Sequence, residues 1–256
     1  MTNNPEINAL ILSVIAGIST MGALLFLYVP KKHHDRIMFI AISFASGVMF
    51  CISLGELLPD SIGILEGTYG AWGVILSVAL MGMGYILTDG LDKMLGGIIA
   101  AGEKKGKVKG SHNPTAILTL LALTVHNFPE GMATFSAALD DMALGLSIAF
   151  SIALHNIPEG VSIVSSVYKN PSDKKTAIIY ITIASLAEPL GALTAYLFLY
   201  KYMNAVFMAG IFAVISGIMV YICLNELFVE AIESGQKGFG RYAFWGICFM
   251  YLVKII

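Results

Sequence analysis

Two six-residue strings carry the chemistry of this chain. His126-Asn127-Phe128-Pro129-Glu130-Gly131 recurs as His155-Asn156-Ile157-Pro158-Glu159-Gly160. In each, imidazole and carboxylate are four residues apart, so on a helix they share one face about one turn apart. Two such helices bring two imidazoles and two carboxylates to one volume. Asn127 and Asn156 add carbonyl oxygens one step along the same turn, and Glu188 can add a further carboxylate. Mixed nitrogen and oxygen ligands suit Zn(II) and other first-row divalent ions such as Fe(II), Mn(II), Co(II) and Ni(II). They do not suit Mg(II) or Ca(II), which prefer oxygen alone. Pro129 cannot donate to the carbonyl of Val125, nor Pro158 to that of Leu154, so both helices are expected to kink and expose a carbonyl there.

The elements that position these residues follow from composition. The chain has 256 residues, 57% hydrophobic and 12% charged, with a formal net charge of -2. Its mean hydropathy is +0.80. A soluble domain carries about 25% charged residues. This chain cannot cover itself with polar surface, which excludes a soluble globular protein and a disordered chain. It also lacks the basic footprint of a nucleic-acid binder. The class is an all-α integral membrane protein, held in the lipid bilayer of the cell membrane as a multi-pass chain. Apolar runs predict eight transmembrane helices over 7–28, 35–58, 72–93, 114–139, 142–169, 173–200, 204–233 and 240–256. The polar linker 102–113 is the only sizeable one. The start at 1–4 lacks a basic region, so the first apolar run reads as a retained helix. Cys51, Cys223 and Cys248 lie in apolar stretches without a CxxC and read as buried thiols.

Basic residues fix an orientation. Of the 15 Lys and Arg, all but Lys201 and Lys254 fall in or beside the 1–2, 3–4, 5–6 and 7–8 connections. The positive-inside rule puts those connections, with the 102–113 loop, in the cytoplasm and both termini outside. A second repeat then gains meaning. Residues 46–57 (SGVMFCISLGEL) recur as 216–227 (SGIMVYICLNEL). With eight spans, helices 2 and 7 run antiparallel, as do 4 and 5. The repeats are inverted and nested. Helices 1–3 (7–93) mirror helices 6–8 (173–256) around the central pair (114–169), a 3+2+3 arrangement within one transmembrane domain. Inverted repeats with a site between them mark alternating-access transporters.

Depth sharpens this. Glu130, Glu159 and Glu188 stand about twelve to sixteen residues into their helices, near the middle of a ~30 Å hydrocarbon core. Each charge there costs roughly 2.5–3.5 kcal/mol on insertion scales. No Lys or Arg lies nearby in sequence to offset them, so a cation, or protonation, must. Other residues admit two readings. Met49 is a packing residue or a soft thioether ligand at matching depth. Glu56 and Glu226 are interfacial snorkelling groups, or mouth residues related by the pseudo-two-fold. Asp140 and Asp141 read as turn residues; His33, His34 and His112 read as solvated loop histidines. Asp89 and Asp92 are expected at headgroups or helix ends.

The paired HNxPEG strings, Glu188 and the 3+2+3 pattern resemble the ZIP family of divalent metal transporters, and among them its prokaryotic members. The resemblance spans essentially the whole chain. It implies a binuclear midplane site. One ion would be held by His126, Glu130, His155, Glu159 and Met49. The other would be held by Asn127, Glu130, Asn156, Glu159 and Glu188, the central glutamates bridging. It also implies a homodimer, and movement of helices 1, 4, 5 and 6 against the rest. The long His-rich 3–4 loop common in eukaryotic members is missing.

The expected function is import of divalent metal, chiefly Zn(II), with Fe(II), Mn(II), Co(II) or Cd(II). The metal is bound as substrate, not as a catalytic cofactor. Ions would enter past Glu56, Asp60, Asp140 and Asp141 and leave past Glu226 and Glu230. One rival is a membrane zinc metallohydrolase, which lacks an HExxH and has no use for inverted symmetry. Another is a proton-conducting or structural protein, which leaves the paired histidines unexplained.

Overall fold

The computed structural model describes residues 4–104, 114–168, 173–202 and 204–253; for some residues inside its helices, His126 among them, the backbone alone is described. Among the described residues there is no strand. Helix is what long apolar runs must form in lipid, because it satisfies every backbone group within the segment. Helix α1 (Pro5–Ser19) tightens into a 3-10 stretch, Thr20–Tyr28. Helix α2 (His34–Ile52) passes through a π turn, Ser53–Leu57, into α3 (Leu58–Tyr69). Then come α4 (Ala71–Lys104), α5 (Pro114–Asp140), α6 (Met142–Val167) and α7 (Lys174–Thr194), which ends in a π turn at Ala195–Leu199. Helix α8 (Ala205–Ile222) runs through a third π turn, Cys223–Leu227, into α9 (Phe228–Glu233), and α10 is Phe239–Val253.

Among the described residues, six helical stretches are long and apolar enough to cross a membrane: Pro5–Tyr28, Lys31–Tyr69, Ala71–Met94, Met142–Val167, Lys174–Tyr202 and Ala205–Glu233. Helices α5 and α10 pack among them, α5 on α7 and α10 on α2. Only 17% of the apolar window of Ala71–Met94 is buried in protein. Trp72, Ile75, Ile86 and Leu87 on that helix face outward, as side chains against lipid do.

Two boundaries differ from the sequence reading. Helix 2 does not end at 58. The Leu58 amide bonds to the Ser53 carbonyl five residues back, and the wide turn carries the helix past Pro59 to Tyr69. Val229 occupies the matched place after the third π turn, so the widening does not depend on proline. Helix 3 does not end at 93 but runs on through Lys104, because residues 98–101 (IIAA) favour helix and no proline intervenes before Pro114. Residues 105–113, with Lys105, Lys107, Lys109 and His112, lie outside the described residues, as do Lys169 and Lys254.

Packing follows the repeat. Without a hydrophobic drive in lipid, helices associate where small residues let backbones approach. A Cβ on Gly47 would overlap the Ala243 carbonyl of α10, and one on Gly217, its repeat mate, the Met81 carbonyl of α4. Where α2 crosses α8, Ser216 Oγ donates to the Ser53 carbonyl at 2.8 Å and Cys223 Sγ to the Ser46 carbonyl at 3.3 Å. The two residue pairs exchange under the repeat register, with donor and acceptor reversed. The three cysteines are free thiols, Cys51 and Cys223 buried.

Candidate metal centre

The two HNxPEG turns lie in α5 and α6, and each helix continues through its proline. A Cβ on Gly131 would overlap the Glu188 carbonyl, and one on Gly191 the Phe128 carbonyl, so α5 and α7 touch backbone to backbone beside the site. This contact brings Glu188 to the level of the two turns. Ser13 Oγ of α1 donates to the Glu188 carbonyl at 3.2 Å and steadies the same turn from the other side.

Glu130, His155, Asn156, Glu159 and Glu188 are all buried, His155 and Glu188 completely. His155 Nε2 stands 3.0 Å from Glu130 Oε1, across from α6 to α5. Asn156 Nδ2 donates to Glu188 Oε2 at 2.9 Å and to the Ala16 carbonyl of α1 at 3.1 Å. Asn127 Nδ2 donates to the Ala184 carbonyl of α7 at 3.2 Å. Both amide nitrogens are thus anchored on neighbouring backbone. Both amide oxygens, Asn127 Oδ1 and Asn156 Oδ1, are buried and accept no hydrogen bond within the protein. A buried carbonyl oxygen without a donor is costly, and a cation satisfies it.

The ligand types meet as pairs. Among the described residues no three His, Cys, Asp or Glu side chains stand close enough to hold one ion together. The side chain of His126 lies outside the described residues. Met49 is fully buried in α2, within the main apolar cluster.

The mouth residues separate into two groups. Asp60, Asp140 and Asp141 line one cavity of about 430 Å³, together with Phe212. Asp141 also caps α6, its Oδ1 accepting from the Ala143 and Leu144 amides at 2.6 and 3.3 Å, the turn role its sequence indicated. Glu56 is buried within the first π turn, so it does not snorkel; Glu226 is half-buried in the third. Glu230, one turn beyond, accepts from Ser162 Oγ at 3.1 Å. Ser162 is buried on the His155–Glu159 face of α6 and was missed in the sequence. Its spacing, seven from His155 and three from Glu159, was the available signal.

One peripheral expectation changes. His34 is not a solvated loop residue. It starts α2, half-buried, with Nε2 2.8 Å from the Val29 carbonyl and its ring against Phe26. Asp92 accepts from the Tyr221 hydroxyl of α8 at 3.1 Å, and Asp89 pairs with Lys93 at 2.6 Å.

Comparison with known proteins gives the family. Residues 100–254 match the family model described as ZIP Zinc transporter. The chain is 34% identical to the zinc transporter ZupT of Streptococcus mutans, with 91% of each chain covered. It is 34% identical to the zinc transporter ZupT of Campylobacter jejuni, with 87% of each covered. For the zinc transporter ZupT of Escherichia coli identity is 37%, covering 88% of this chain and 86% of the other. The family is one of transporters, which sets the metallohydrolase aside. With its paired turns, buried carboxylates and apolar spans, this chain belongs to the ZIP family of zinc transporters.

Proposed function

We propose that this protein imports divalent transition metal ions, chiefly Zn(II), across the cell membrane through a binuclear midplane site, by alternating access. The metal is its substrate. The carrying observation is the pair of buried, unbonded amide oxygens of Asn127 and Asn156 beside the His155–Glu130 and Asn156–Glu188 pairs. Glu130 and Glu159 bridge two ions. His126, His155 and Met49 complete one shell; Asn127, Asn156 and Glu188 complete the other.

The packing supports a 3+2+3 inverted repeat of eight spans, and the basic residues of alternate connections support outer termini. Helix α5 packs on α7 as α6 packs on α1 and its 3-10 extension, and α4 packs on α8 as α10 packs on α2. The first group forms a bundle carrying the site, and the second a frame. Rocking one against the other exposes the ions first to the Asp60–Asp140–Asp141 cavity, then to Glu226 and Glu230.

Purified protein in liposomes, with a metal-sensing dye inside, tests this. Saturable influx of Zn(II), Fe(II), Mn(II) and Cd(II), without Mg(II), is expected. Its loss in His126→Ala locates the site. Wild-type flux in that variant and in Glu130→Ala would overturn the assignment.

A further inference from the structure

The pseudo-two-fold axis relates the site's two flanks, and the match can be traced atom by atom. Asn127 bonds to the Ala184 carbonyl of α7 as Asn156 bonds to the Ala16 carbonyl of α1. A Cβ on Gly131 would strike the Glu188 carbonyl; one on Gly160 would stand 2.7 Å from the Thr20 carbonyl. Both contacts give the same register, Ala16 with Ala184 and Thr20 with Glu188. The residue that mirrors the Glu188 carboxylate is therefore Thr20, at the end of α1.

Thr20 is also unusual in itself. Thr68, Thr88, Thr124, Thr182 and Thr194 each donate to the carbonyl four residues back, the ordinary use of a helical threonine. The Thr20 hydroxyl is buried, 1% exposed, and has no hydrogen-bond partner among the described residues. Thr134, one turn beyond Glu130 in α5, shares that condition. Only Thr20 occupies the mirror of an expected metal ligand. Glu188 reaches Asn156 across the centre at 2.9 Å. The two-fold operation aims Thr20 Oγ1 at Asn127, whose own Oδ1 is also unbonded.

We propose that Thr20 is a further ion-site residue, contributing its hydroxyl oxygen opposite Glu188. This rests on the ion site proposed above. The chemical consequence is an uneven cage. One flank carries a carboxylate, the other a neutral oxygen. The ion gains an oxygen partner without a fourth negative charge beside Glu130, Glu159 and Glu188. A cage with less charge holds its ion less tightly, which favours release.

Thr20→Val keeps shape and removes the hydroxyl; Thr20→Ser keeps the hydroxyl. Zinc influx and zinc titration of the detergent-solubilised protein are read for both, beside Glu188→Gln. The expected result for Thr20→Val is a KM and a dissociation constant raised about ten-fold, the lower end of what a partner at the edge of a metal shell contributes. Maximal rate should stay within two-fold. Thr20→Ser should match wild type. If Thr20→Val is not recovered folded, Thr20→Ala gives the same reading. Loss of uptake in Glu188→Gln with both constants unchanged in Thr20→Val would overturn the role of Thr20 alone. Unchanged uptake in Glu188→Gln as well would overturn the ion site and this inference with it.

Discussion

At the proposed outer mouth, Asp60 shares a cavity with Asp140 and Asp141. At the proposed cytoplasmic mouth, its repeat mate Glu230 is held by the Ser162 hydroxyl of α6. The register of the two HNxPEG strings matches Ser162 with Ala133 of α5, which has no hydroxyl to offer. Elsewhere the two halves agree closely. Asparagine amides meet alanine carbonyls, glycines meet carbonyls, and the Ser216–Ser53 and Cys223–Ser46 pairs exchange with donor and acceptor reversed. The symmetry is kept where helix backbones touch and broken where side chains meet the ion. Backbone packing fixes the shape needed in both orientations. Directional traffic needs two mouths and two flanks that differ.

The largest effect tests the symmetric part. Glu130→Ala removes a bridging carboxylate and leaves His155 facing a void. Uptake should fall about 100-fold or more, since partners one shell further out already contribute 10–100-fold. Glu159→Ala should lose as much, measured as initial influx at equal protein. A loss confined to one of them would break the equivalence of the two turns. Gly131→Ala tests the backbone contact. The new methyl overlaps the Glu188 carbonyl, so α5 and α7 must part, at a cost of about 1–3 kcal/mol for overpacking. Thermal unfolding in detergent should show this, with Gly63→Ala, which meets open space, as the silent control.

The sequence carried the site because its signals were local. The i, i+4 spacing of His155 and Glu159 and the prolines between them are legible without a fold. The repeat at 46–57 and 216–227 was legible too, and it located Glu56 and Glu226. The π turns through these two residues were not, because the sequence has no marker for a wide turn; Pro59 accompanies one and Val229 the other. Ser162 and Thr20 were illegible for a different reason. Their roles depend on what faces them across the membrane interior; spacing puts Ser162 on the His155–Glu159 face but names no partner for it, and Thr20 has no such neighbour in sequence. The identities in the register that matches Thr20 with Glu188, Ile15-Ala16 against Ile183-Ala184 among them, are scattered and mostly apolar, too weak to read before the contacts were known. Helix ends at 58 and 93 were misplaced because Gly-rich segments weaken a helix without ending it.

A smaller effect probes the asymmetry of the mouths. Ser162→Ala removes the donor that competes with a cytoplasmic cation for Glu230. Zinc inside the vesicle should then inhibit influx at about ten-fold lower concentration, since a hydrogen bond to a charged group is worth about a decade or more. The KM for outside zinc should stay within two-fold. Ala133→Ser should act on the other side and raise that KM. Equal shifts on both sides in Ser162→Ala would mean a general loss of structure instead.

The smallest effect belongs to the crossing of α2 and α8. Cys223 Sγ donates to the Ser46 carbonyl through a weak S–H bond, while the other bond at this crossing uses a full hydroxyl, Ser216 to Ser53. Interhelical hydrogen bonds in membranes average only about 0.6 kcal/mol, because the unfolded chain also finds partners. Cys223→Ala should therefore lower stability by less than that. Ser216→Ala should cost about the full amount, and Cys223→Ser should gain a few tenths by replacing the weak S–H donor with a hydroxyl. Influx should be unaltered in all three, since the crossing belongs to the frame and not to the bundle that carries the ion. An altered rate in Cys223→Ser at unchanged stability would show that the frame yields during transport, and that the two halves differ in their packing as well as in their mouths.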